Sequence, residues 1–226
     1  MATVVWLTGF DNWPATPTVQ GAGVCDAVNG TPTVQNIVAR NSGYALRSYA
    51  ASAAATNVGK TVSSATLVCR FYLNIKTAPS AQVSFFRPVQ VAGSACRLML
   101  NTDRTLNGFI NVDSTKSAAL SLDTWYCIDV KFDVSTGTST VDFKINGTAG
   151  TQNTYSQTAT SCDGLYIGFY TAVTGEIFID DVAVSYTAAD YPIGPGGTEL
   201  LLPTGDGSHN NAANTLEDQA GNDING

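Results

Sequence analysis

The residues of this chain best suited to chemistry are the carboxylates of Glu176, Asp180 and Asp181, set in the string Glu176-Ile-Phe-Ile-Asp180-Asp181. In an extended strand residues i and i+4 share a face, so Glu176 and Asp180 would stand on one side, and a carboxylate pair can serve as acid and base at a glycosidic bond. The Glu-x-Asp-x-Glu spacing by which sandwich-fold glucanases place both groups on one strand lacks its central member, because Phe178 stands there. The chain has only three glutamates, Glu176, Glu199 and Glu217, so a second carboxylate beside an aromatic cluster has no evident source. The expectation is a chain that is not an enzyme and has no catalytic residue. The same carboxylates suit a hard cation, which takes several oxygen ligands, and Asp11, Asp180 and Asp181 are the candidate ligands of a structural calcium ion. Against that reading, adjacent residues of a regular strand point to opposite faces.

Other motifs carry less. Gly59-Lys60-Thr61 matches the end of a phosphate-binding loop, but Ala54 occupies the position of the first glycine, and Val62 to Phe71 reads as strand where the loop needs a helix N-terminus. A turn is expected there. His209 is the only histidine and lies in Gly205-Asp-Gly-Ser-His209, without a serine or cysteine motif that would make a triad. Trp13, followed by Pro14 in a loop, is the candidate aromatic platform for stacking a sugar ring. Asn29-Gly-Thr and Asn146-Gly-Thr fit the glycosylation sequon and are read as turns. Cys25, Cys69, Cys96, Cys127 and Cys162 are odd in number, scattered and without a C-x-x-C pair. They are read as small buried hydrophobes rather than zinc ligands or a disulfide framework.

The elements that must position these groups are strands. Tyr126, Ile128, Val130, Phe132 and Val134 alternate with Asp129, Lys131 and Asp133, and Val141, Phe143 and Ile145 alternate with Asp142 and Lys144. A period of two with one apolar side marks a half-buried strand, so the two runs predict a hairpin closed by the loop at 135–138, with opposite charges facing across it. Leu67, Cys69, Phe71, Leu73 and Ile75 alternate in the same way. Further strands are expected at 33–40, 44–50, 81–92, 95–101, 106–112, 165–170 and 177–186. The Ala-rich stretch from Ala50 to Ala55 is too short to stand alone as a helix. Ten or eleven strands with turn signals between them predict an all-β antiparallel two-sheet sandwich.

Composition agrees. The 226 residues are 13% charged and 44% hydrophobic, with 21 glycines, which is a β-rich profile with room for one sizeable domain. From Asp190 onward there are six acidic residues and no Lys or Arg, so this stretch holds all but one of the net seven negative charges. Its Pro, Gly and Asn content cannot bury enough apolar area to offset the entropy of ordering. The expected division is a sandwich over residues 1–189 and an extended acidic C-terminal arm over 190–226, anchored by Leu200, Leu201 and Leu202. The negative balance, with no basic stripe, argues against nucleic acid as partner. No apolar run reaches the length a membrane helix needs, and the amino terminus does not read as a secretory signal.

Gly43-Tyr-Ala-Leu-Arg47, Leu122-Asp-Thr-Trp125-Tyr-Cys-Ile-Asp-Val130, Val141-Asp-Phe-Lys-Ile-Asn-Gly147 and Ile177-Phe-Ile-Asp-Asp-Val182 resemble the strand series of concanavalin A-like (laminin-G type) jelly rolls, over most of residues 1–189. Asp180-Asp-Val-Ala-Val184, with Tyr191-Pro-Ile-Gly and Leu200-Leu-Leu-Pro-Thr-Gly-Asp-Gly-Ser-His209 after it, resembles a run in tailed-bacteriophage virion proteins. That resemblance implies a structural module on the capsid or tail, assembled in the host cytoplasm and displayed on the virion surface. Its partners would be other virion proteins and copies of itself, with host-surface glycans as a further ligand. The alternative is a carbohydrate-binding module for attachment to a surface polysaccharide.

Overall fold

A computed structural model describes residues 4–193, apart from 11–12, 14, 18–24, 41–42, 91–95, 136 and 157–159. Asp11, Leu200, Leu201, Leu202, His209 and the arm beyond Ile193 therefore lie outside the described residues. The strands are β1 (Val4–Thr8), β2 (Ala27–Asn29), β3 (Thr33–Gln35), β4 (Ala45–Ser64), β5 (Thr66–Thr77), β6 (Val83–Gln90), β7 (Arg97–Leu100), β8 (Leu106–Ile110), β9 (Val112–Asp113), β10 (Trp125–Asp133), β11 (Thr138–Ile145), β12 (Thr148–Ala149), β13 (Asn153–Ser156) and β14 (Cys162–Ser185). Every pairing is antiparallel. The protein is an all-β sandwich made from one curled sheet.

Two long strands do the curling. The first half of β14 pairs with β6 and the second half with β5, while β4 follows β14 along its other side. One layer therefore contains β11, β10, β5 and the second half of β14; the other contains the first half of β14, β6, β7 and β8. The crossing point is marked by register shifts between Phe169 and Gly175 and by Gly168, whose φ of +106° is strained for any residue with a side chain. A Cβ at Gly168 would also lie 2.5 Å from the Thr56 carbonyl oxygen. Buried polar groups fix the corner. Ser48 Oγ donates to the Thr56 carbonyl at 2.6 Å and accepts from Phe169 N at 3.0 Å, and Asn57 Nδ2 donates to the Phe169 carbonyl at 2.8 Å.

Between the layers the side chains form one apolar core. Phe71 of β5 stacks on Phe86 of β6 at 4.2 Å, and Phe86 stacks in turn near Phe132 of β10 at 6.5 Å. All three rings are fully buried, and burial of each contributes about 1.5–3 kcal/mol to folding.

The hairpin has the expected pairing, with Asp129 opposite Lys144 and Lys131 opposite Asp142. The ion pair that Asp129 makes is with Arg70 of β5, its partner on the other side. Three expectations need revision. Gly59-Lys60-Thr61 is not a turn but runs inside β4, as does the Ala-rich stretch, which forms no helix, as expected. Small residues suit the stretch because Ala51, Ser52 and Ala53 are exposed at the corner where β4 changes layer. The segments at 165–170 and 177–186 are one strand, β14. The body does not stop at 189: after the 3-10 turn Ala188–Asp190, Ile193 is buried against Val68 and Ala183 with Tyr191 beside it.

Candidate functional site

The outer surface of the β6 layer carries a cleft of about 280 Å³, a little below the size range of small-molecule sites. Register assembles it. Gly59 of β4 lies opposite Ala27 of β2 on one side and Tyr166 of β14 on the other, and Tyr166 lies opposite Arg87 of β6. Along β14, Leu165, Ile167 and Phe169 point into the core, so Tyr166 and Tyr170 point outward by strand alternation. The Tyr166 ring lies over Gly59: a Cβ there would be 2.8 Å from Tyr166 Cε1 and 3.1 Å from the Ala27 side chain. The cleft exists because position 59 has no side chain.

Its polar lining comes from Asp26, Lys60, Thr61 and Asp163, with Val89 and Tyr166 as apolar walls. Asp26 is held in place: its carboxylate accepts the Thr61 backbone N–H at 2.6 Å and faces Lys60 Nζ at 3.5 Å. The Thr61 N–H, with Lys60 behind it, holds the Asp26 carboxyl below its ordinary range. Asp163 accepts from Ser161 Oγ at 3.0 Å. A cleft with one aromatic wall and several fixed donors and acceptors suits a polyhydroxylated ring.

Beyond Tyr166 the same surface continues as a row of rings and guanidinium groups. Tyr166 meets Tyr170 edge-on at 5.2 Å, and the Arg87 guanidinium lies over the Tyr170 ring at 3.9 Å. Phe86 pairs with Leu98, which places Arg87 beside Arg97 on β7, and Arg97 lies over the Phe109 ring at 4.7 Å. Burial, and then the neighbouring Arg87 charge, pull Arg97 below the ordinary arginine value.

The residues singled out in the sequence lie elsewhere. Trp13 is no platform: it is 9% exposed and meets the Phe10 ring edge-on at 4.9 Å, inside the core cluster. Asp180 and Asp181 are buried and turned to one residue. Asp180 Oδ2 accepts the Arg40 backbone N–H at 3.1 Å, and Arg40 Nη1 donates to Asp181 Oδ2 at 2.5 Å. Simple alternation fails here because the register against β5 shifts between Asp180 and Ala183 and Asp181 has φ +49°. A guanidinium thus stands against the Asp181 carboxylate offered to calcium, and among the described residues no three His, Cys, Asp or Glu side chains converge as a metal site. Glu176 is paired with Arg47 Nε at 2.6 Å. Cys25, Cys69, Cys96 and Cys162 are buried, as read, whereas Cys127 is only half-buried; burial pushes the Cys162 thiol up to about 12.

No family model matches the chain, and no curated protein sequence does. Solved structures that resemble it include a Trypanosoma rangeli sialidase, with a TM-score of 0.56 at 12% identity, covering 81% of this chain and 30% of the sialidase. The same enzyme in complex with 2,3-difluorosialic acid gives 0.55 at 10% identity, covering 81% and 31%. The receptor-binding domain of botulinum neurotoxin type G gives 0.54 at 12% identity, covering 98% of this chain and 54% of that one. The chain thus spans under a third of the sialidases and about half of the toxin domain. At such identities the likeness is one of fold, and it agrees with the jelly-roll expectation. The expectation that the chain is not an enzyme is corrected by it: a sandwich of this kind occurs within sialidases, which are enzymes, so the fold gives no ground for excluding catalysis.

Proposed function

We propose that the chain is a carbohydrate-recognition module carried on the surface of a tailed-phage particle. The sandwich offers its outer β6-layer face to a saccharide, and the residues after Ile193 join it to other virion proteins and to copies of itself. The observation that carries the binding part is the cleft at Gly59, where Tyr166 forms an apolar wall above the fixed Asp26 and Lys60 side chains. The virion part is supported by the resemblance of Asp180-Asp-Val-Ala-Val184 and the sequence after it to phage structural proteins. On a symmetric particle many copies share one geometry, so a weak single site gains strength through effective concentration.

Two measurements test this. A glycan array probed with the full chain, beside the Tyr166→Ala variant, is expected to give saccharide ligands that the variant loses while its circular dichroism is unchanged. Mass spectrometry of purified particles from the phage that encodes the chain is expected to find it in mature virions. Absence from particles overturns the virion part, and an array without ligands overturns the binding part.

A further inference from the structure

The geometry points to an acidic sugar as the ligand of this face, its carboxylate received by Arg87 and its ring lying toward Tyr166 and the cleft; this rests on the carbohydrate reading given above. Arg87 is the central observation. Its guanidinium is spread on the Tyr170 ring at 3.9 Å, and its Nε is buried with no hydrogen-bond partner among the described residues. A guanidinium stacked by one face offers its outer Nη edge to a planar two-oxygen acceptor, and the Nε donor, which has no partner in the unliganded face, gains one when the side chain shifts to meet that acceptor.

The surroundings fit the same ligand. Arg97 lies beside Arg87 on the next strand, so two cations stand side by side on a protein of net charge −7, a local field that favours an anionic over a neutral ligand. Val89, which lines the cleft, is two residues along β6 from Arg87 and on the same face, roughly 7 Å away by strand rise. That is about the span of one sugar unit. Asp26, next to Ala27 at the start of β2, lies two strands beyond Tyr166 from Arg87, and Asp163 lies three residues along β14 from Tyr166, toward Val89; there they accept hydroxyl hydrogens. Arginine at one end and Asp26 at the other give the face a polarity that a sugar with one acid group matches.

The test uses the full chain labelled with ¹⁵N and reads the side-chain Nε–Hε signal of Arg87, identified by its loss in Arg87→Gln. Methyl glucuronoside is expected to move that signal and methyl glucoside to leave it in place. On acidic oligosaccharides that bind, Arg87→Gln is expected to weaken affinity by about tenfold, relative to a smaller change on their carboxyl-reduced forms. Arg87→Lys, which keeps the charge and loses the flat two-donor edge, is expected to fall between. Neutral saccharides bound as well as acidic ones, or an Arg87 signal indifferent to glucuronoside, would overturn the inference and leave the carbohydrate reading standing. No binding of any saccharide overturns both.

Discussion

Arg70 and Asp129, in register on β5 and β10, are joined by two hydrogen bonds, from Nε and Nη2 to the two carboxylate oxygens at 3.0 and 2.9 Å. The pair is covered by the chain's exit segment, whose Tyr191 ring has Lys131 and Lys144 at 5.4 and 5.3 Å. Burial raises the Asp129 carboxyl, and Arg70 works against that rise. Removing one partner therefore strands the other. Arg70→Met is expected to cost about 3–5 kcal/mol in urea unfolding at neutral pH, and Arg70→Met with Asp129→Leu to recover most of it.

Trp13 separates packing from binding. As a core side chain against Phe10, its replacement by Ala is expected to lower stability by about 3 kcal/mol and to leave saccharide affinity unchanged at temperatures where the variant is folded. Thermal unfolding and array binding of the same preparation check both halves.

Gly59→Ala is expected to remove binding. The added methyl meets the Tyr166 ring and the Ala27 Cβ, which cannot move without its backbone, so the cost is about 1–3 kcal/mol while the ring is driven from its place. Saccharide affinity should fall as far as in Tyr166→Ala, and calorimetry compares the two.

Acid sensitivity has a nameable contributor. The Asp103 carboxyl accepts from Thr105 Oγ1 at 2.6 Å and Lys116 Nζ at 3.0 Å, and these hold it at about 2 against an ordinary 3.8. A depressed folded value means the contribution is whole above about 3.8 and is lost as pH falls through about 2. Between pH 4 and 2, Asp103→Asn should show a shallower fall in urea midpoint than the unaltered chain.

The alternation of Val130, Phe132, Val141 and Phe143 was enough to read β10, β11 and their pairing, because each strand has one dry face and charges on the other. β4 was not readable as a single strand: around its corner Ala, Ser and Thr replace large apolar residues, so no period survives. The cleft escaped because it is a product of register between β2, β4, β6 and β14, whose facing residues are far apart in sequence. One local signal was present, the outward Tyr166 and Tyr170 between the inward Leu165, Ile167 and Phe169. The adjacent aspartates misled because a register shift at Asp181 overrides the strand period, so that both carboxylates face Arg40 instead of opposite sides.

β14 runs the length of the sandwich between β4 on one side and β5 and β6 on the other, with β1 alongside its end. A tug transmitted to Ser185 from the segment that follows acts along this strand. Over the second half of the strand it must slide the hydrogen bonds to β1, β4 and β5 together rather than peel them in sequence. A module fastened through its C-terminal side and gripping a surface with its outer face would hold under strain.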